Sequence, residues 1–113
     1  MDESFEKERA TVMTYKGLLH CHTKFSYDSI TTPEQIVKHC LKYNLNFVIV
    51  TDHDTIEGSK AVRDHVTAQQ LSIEVPIAAE YLIPRYGDVI AAFIEKEIQH
   101  RSSLEGFIKE VHE

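Results

Sequence analysis

A chain of 113 residues with 42% hydrophobic and 27% charged side chains has the composition of one globular domain, long enough to bury about 65% of its surface. Its 12 basic and 18 acidic residues leave a net charge of −6, so a positive field that steers the chain toward nucleic acid is unsupported. No apolar run reaches the length of a membrane span, and the charged opening Met1-Asp2-Glu3-Ser4-Phe5-Glu6-Lys7-Glu8-Arg9 lacks the apolar centre of a signal peptide. The expectation is a cytoplasmic protein with no membrane partner, and the two cysteines, Cys21 and Cys40, which form no Cys-x-x-Cys, fit reduced thiols.

Residues 1–14 read as a mobile charged leader, and 15–113 as the folded part. The first strand is expected near Lys16 to His20, with Leu18 and Leu19 leading into His20-Cys21-His22. Residues two apart on a strand point to the same side, so the two imidazoles converge. A pair of converging imidazoles at a strand end often begins a transition-metal site. Taken alone, the pair also fits two unrelated polar residues entering a loop. Cys21, between them, should face away as a small buried apolar residue.

Thr32-Pro33-Glu34-Gln35 opens a helix with a capping threonine, a proline at the first helical position and a glutamine that completes a capping box. Ile36, Val37, Cys40 and Leu41 follow at helical spacing, and Asn44 and Asn46 mark the exit. Phe47-Val48-Ile49-Val50 reads as a buried strand ending in Thr51-Asp52-His53-Asp54-Thr55. A second helix is expected over about Glu57 to Gln70, with Ala61, Val62 and Val66 inward. His39 and His65, on these two helices, read as structural or solvated.

Val75-Pro76-Ile77-Ala78-Ala79 predicts a third strand that ends at Glu80. After the turn Pro84-Arg85-Tyr86-Gly87-Asp88 a fourth strand runs from Asp88 to Ile94 and pairs antiparallel with the third. Ser102-Ser103-Leu104-Glu105 reads as a second capping box, followed by Phe107, Ile108 and Val111 at helical spacing. The order is β-α-β-α-β-β-α, an α/β arrangement. If the first three strands are parallel, their ends share one rim and deliver His20, His22, His53, Asp28 and Glu80 there. Helix caps alone do not explain three histidines and two carboxylates so placed.

The set Leu19-His20-Cys21-His22-Thr23, Ser26-Tyr27-Asp28, Thr51-Asp52-His53-Asp54-Thr55 with Gly58, and Ala79-Glu80 resembles the PHP family, named for polymerase and histidinol phosphatase. The resemblance covers about Lys16 to Ile94. It implies the first part of a distorted (β/α)7 barrel, with about four strands and three helices of it present. It further implies that His20 and His22 ligate one metal, that Glu80 bridges this metal to a second, and that Asp28 and His53 hold a third. Asp52 and Asp54 are then groups that orient imidazoles. The implied function is a metal-dependent phosphoesterase that cleaves a phosphate ester with hydroxide generated on the metal. Zinc, manganese and iron all suit mixed imidazole and carboxylate ligation. Arg85 and Lys24 are possible contacts for the phosphate of a phosphorylated small molecule, or solvated loop residues.

The family's later histidines and its Asp-x-His pair have no counterpart here, and His100 and His112 do not end strands. The chain therefore reads as the amino-terminal part of the barrel, ending inside a helix, with the isolated 113 residues weakly active or inactive. The alternative is a non-catalytic metal-binding or assembly module with an incomplete metal site. Half a barrel leaves an uncovered edge and apolar face, which predicts a homo-oligomer. The amidohydrolase group also opens with His-x-His, but it leaves Asp28 and Thr51-Asp52-His53 without a reason.

Overall fold

The computed structural model describes residues 14–113, so all but the last residue of the expected leader lies outside the described residues. Seven elements follow in the expected order: β1 Gly17–Cys21, α1 Pro33–Lys42, β2 Phe47–Val50, α2 Glu57–Ala68, β3 Ala78–Ile83, β4 Gly87–Ala92 and α3 Leu104–Val111.

Helix α1 starts as its sequence requires. Thr32 Oγ1 accepts from Gln35 N at 3.2 Å, and Gln35 Oε1 accepts from Thr32 N at 2.8 Å, so two otherwise orphaned donors are satisfied reciprocally. Its end is equally defined. Asn44 adopts the left-handed conformation (φ 54°), and its N–H and that of Leu45 return to the carbonyls of Leu41 and Cys40, the paired closure of a Schellman motif. Helix α2 ends in the same way, with Gln70 left-handed (φ 54°) and with Gln70 and Leu71 bonded back to Thr67 and Val66. Gln70 therefore lies past the helix rather than in it. At α3 the expected box from Ser102 does not form: Ser103 is the cap, and its Oγ accepts from Gly106 N at 3.2 Å.

Strands β1 and β2 pair parallel, Leu18 opposite Val48 and Cys21 opposite Val50. Strands β3 and β4 form the expected antiparallel hairpin, with Glu80 opposite Ile90 and Leu82 opposite Asp88. One expectation is corrected here. The apolar run 75–79 is not a strand that stops at Glu80; β3 begins at Ala78, and Glu80 is its third residue. Ala79, Tyr81 and Ile83 face a core while Glu80 and Leu82 share the other face, the alternation a strand imposes. The segment leading into β3 runs parallel beside β2, through Glu74 N to Asn46 O at 2.9 Å, Glu80 N to Asp52 O at 2.9 Å and Asp54 N to Glu80 O at 2.9 Å. The shared rim thus exists, carried by backbone bonds on either side of Glu80. The described residues form two two-stranded sheets and no closed barrel.

Two apolar cores lie beneath these sheets. Ile36, Val37, Cys40, Val48, Val50, Val62, Val66, Ile73 and Val75 fill the first, between α1, β2 and α2. Ile56, Ile77, Ala79, Tyr81, Ile83, Ala91, Ile94, Ile98 and Phe107 fill the second, between the hairpin and α3. Among the described residues no helix is long and apolar enough to cross a membrane.

Candidate metal centre

The site lies where the two sheets meet. His20 is on β1, with His22 just beyond its end. Asp28 comes from the loop that follows, His53 from the loop after β2, and Glu80 from β3. Glu80 contacts all three imidazoles: its Oε1 is 2.9 Å from His20 Nε2, and its Oε2 is 3.7 Å from His22 Nε2 and 3.5 Å from His53 Nε2. His20 Nε2 and His22 Nε2 are themselves 3.3 Å apart. Asp28 stands on the far side of His22, with Oδ1 3.1 Å from its Nδ1 and Oδ2 3.2 Å from His53 Nε2. His20, Cys21, His22, Asp28 and Ser29 line a shallow, open hollow there.

Local chemistry fixes this arrangement. Ser26 is buried; its hydroxyl donates to Asp28 Oδ1 at 2.7 Å and accepts from His53 N at 3.2 Å, so one side chain ties two loops. That hydroxyl, then the imidazole of His22 and the nearby His53, holds the Asp28 carboxyl below its ordinary range despite some desolvation. Ser29 Oγ donates to the carbonyl of His22 at 3.1 Å. The Tyr27 ring lies over His53, with centroids 4.8 Å apart.

Asp52 and Asp54 do not contact imidazoles. Asp52 is fully buried and accepts from Thr23 N and Thr23 Oγ1, both at 2.5 Å; burial pushes its carboxyl upward, opposed by those two bonds. Asp54, left-handed at φ 58°, lies 3.5 Å from Arg101 Nη1. The carboxylate that does sit behind an imidazole is Asp28. With a proton on His22 Nδ1 shared with Asp28, Nε2 of that ring presents a lone pair toward His20 and Glu80.

Lys24 extends over the Phe25 ring, and Arg85 lies in the left-handed position (φ 74°) of the β3–β4 turn, beside Ser102 and Ser103. Neither lines the histidine hollow. Cys21 borders the hollow, but its side chain packs against the first core, as expected, and burial pushes its thiol up to about 12. Sequence reasoning passed over two participants. Ser26 stands in the sequence only within the motif Ser26-Tyr27-Asp28, with no role of its own assigned. Asp88 closes the expected turn and opens the expected fourth strand with no role at the site, yet one of its oxygens lies within 4.8 Å of donor atoms of both His53 and Glu80.

The donor set fits a divalent cation. Only 6% of the Glu80 side chain is exposed, and its ion-pair partners among the described residues are three imidazoles, with no lysine or arginine. A carboxylate buried without a permanent positive charge is costly. A cation at the point where His20, His22 and Glu80 converge would remove that cost, and the ligand types are those that zinc, manganese and iron share.

The PHP domain family model matches residues 19–112, a span that includes every one of these donors. This chain belongs to the PHP domain family. It is 31% identical over 108 residues to an uncharacterized protein of Methanocaldococcus jannaschii, an alignment covering 87% of this chain and 61% of the relative. It is 36% identical over 63 residues to an error-prone DNA polymerase of Mycolicibacterium paratuberculosis, covering 55% of this chain and 6% of the polymerase. Among solved structures it resembles a "putative metal-dependent phosphoesterase" of Bifidobacterium adolescentis. The TM-score there is 0.56 at 22% identity, over 88% of this chain and 33% of that one. This PHP chain thus spans about three-fifths of the archaeal relative and smaller shares of the others.

Proposed function

We propose that this PHP domain binds divalent cations through His20, His22, Asp28, His53 and Glu80 and serves the hydrolysis of a phosphate ester. One observation carries the reading. Five donor side chains from three strands and their loops meet at one rim, around a carboxylate whose side chain is only 6% exposed and whose ion-pair partners are imidazoles. Family membership and the phosphoesterase description of the bifidobacterial neighbour support the reaction class.

A bound cation would supply Lewis acidity and an activated water for attack on phosphorus. The chain's own residues prepare that chemistry. Glu80 supplies negative charge at the centre, in reach of His20, His22 and His53. Asp28 fixes the tautomer and tilt of His22, and Ser26 in turn fixes Asp28 and the backbone of His53. Such supporting bonds strengthen ligand basicity and hold geometry. Tyr27 covers one face of His53 and shields it from water.

The test is metal content and affinity of the 113-residue chain for Mn²⁺ and Zn²⁺, by elemental analysis and calorimetry, followed by metal-dependent release of nitrophenol from p-nitrophenyl phosphate. Binding that Glu80→Gln weakens by about 100-fold or more is expected, because even supporting groups around a metal cost 10–100-fold. Binding without turnover would favour the non-catalytic module. Wild-type protein that takes up no metal would end both readings.

A further inference from the structure

Beyond the five donors, Asp88 is the one acidic side chain among the described residues that joins a donor group with them. It lies on β4, opposite Leu82, with Ile90 opposite Glu80. Side chains two apart on a strand share a face, and directly paired residues do as well. Asp88, Leu82, Glu80 and Ile90 therefore stand on the site face of the hairpin, while Tyr81 and Val89 turn into the second core. A carboxylate oxygen of Asp88, one of Glu80 and a ring nitrogen of His53 lie within 4.8 Å of one another. Among the described residues the Asp88 side chain has no hydrogen bond and no ion pair.

Two carboxylates this close repel unless one is protonated or a cation lies between them. Leu82 and Ile90, the apolar neighbours on the hairpin face, offer neither a proton donor nor a positive charge. Asp88 is exposed and free to turn, whereas Glu80 is buried and fixed. We propose that Asp88 is a metal ligand of this chain. It completes, with His53 and Glu80, a cation position separate from the one that His20 and His22 share with Glu80. This rests on the metal-binding reading above and extends it: Glu80 lies between two donor groups, His20 and His22 on one side, His53 and Asp88 on the other.

Asp88→Asn keeps the shape and removes the charge, and exposure makes it harmless to folding, which a melting curve checks. Wild-type chain titrated with Mn²⁺ should take up at least two equivalents, with an exchange-coupled electron paramagnetic resonance spectrum from ions joined through Glu80. In Asp88→Asn one equivalent should be lost or weakened by about 10-fold or more, leaving the six-line spectrum of an isolated ion. Asp88→Glu, which restores a carboxylate, should recover the second equivalent. An unchanged stoichiometry, affinity and spectrum in Asp88→Asn overturns the assignment while leaving the five-donor site intact. No Mn²⁺ or Zn²⁺ uptake by the wild type overturns the metal site itself.

Discussion

The two halves of this chain are built on different plans, and the site exists only where they meet. The first half, β1 through α2, is a parallel β-α-β-α unit whose core is almost wholly aliphatic. Its helices are closed at their ends by left-handed Asn44 and Gln70. The second half is an antiparallel hairpin under a short helix, with Tyr81 and Phe107 packed edge to face at 5.6 Å. The first half supplies all three imidazoles and one carboxylate, and the second supplies Glu80 and Asp88. Both donor groups that include Glu80, one with His20 and His22 and one with His53 and Asp88, straddle the seam. The seam is narrow in backbone terms, a few parallel bonds around Glu74 and Glu80. Three imidazoles and a carboxylate on one side and two carboxylates on the other are held by separate cores, so a cation joining them would also join the halves. Ligand that binds only the folded state raises stability by mass action.

The largest test of this contrast is in the first half. Gly58, in the first turn of α2, faces the buried Thr23–Asp52 pair, and a Cβ there would lie 1.7 Å from Asp52 Oδ2 and 2.4 Å from Thr23 Oγ1. Both atoms are committed to hydrogen bonds in a fully buried place, so neither can yield cheaply. Gly58→Ala should lower stability by about 3 kcal/mol, at the upper end of overpacking costs. Because Thr23 follows His22 and Asp52 precedes His53, metal affinity should fall with it. Urea unfolding and metal titration of the variant check both, and a change under about 0.5 kcal/mol would show that the plug between β1 and α2 is loose.

That plug also marks the limit of what the residues alone disclose. The order of elements, the capping box at Thr32 and the meeting of His20, His22, Asp28, His53 and Glu80 were all legible, because periodicity and strand alternation are local rules. Asp52 was not, since a carboxylate beside a histidine in sequence looks like its orienting partner. In the fold Asp52 points back under the loop to Thr23, 29 residues away. Asp88 was missed for a related reason. The residues place Asp88 at the start of the strand, but its face is set by the hairpin register, Leu82 opposite Asp88, and a one-residue slip in that register would reverse it. The second capping motif, with Ser103 rather than Ser102 as cap, is the same kind of single-residue ambiguity.

In the second half the corresponding test is milder. Tyr81 donates its hydroxyl to Glu97, whose other oxygen accepts from Ile56 N, and Arg101 lies over the Tyr81 ring at 4.3 Å. Burial, then the Glu97 acceptor, pushes the phenol upward, so it remains a donor throughout the working pH range. This bracket clasps the chain just after His53 to the hairpin core. Tyr81→Phe removes that charge-assisted bond and the acceptor of Ile98 N, 3.3 Å from the hydroxyl, and leaves Glu97 with the backbone donor and Arg101. A loss of about 2 kcal/mol is expected in urea unfolding, with metal affinity reduced less than in Gly58→Ala. A larger loss of affinity than of stability would mean that the bracket, and not the Thr23–Asp52 plug, sets the position of His53.

The smallest effect should come from the other helical glycine. A Cβ on Gly106, in the first turn of α3, would meet the ring of His100 at 2.1 Å from Nε2, which on distance alone resembles the Gly58 case. The difference is what the neighbour can do. His100 is exposed, and its ring is the end of a side chain that can swing into water, whereas Asp52 and Thr23 are enclosed. Alanine also lowers the helix's backbone entropy cost by about 0.5–1 kcal/mol relative to glycine. Displacing the ring takes back part of that gain, so Gly106→Ala should change stability by no more than about 0.5 kcal/mol, with metal affinity untouched because α3 supplies no donor. A loss approaching that of Gly58→Ala in the same unfolding experiment would mean that His100 is pinned against α3, and that the second half is as tightly plugged as the first.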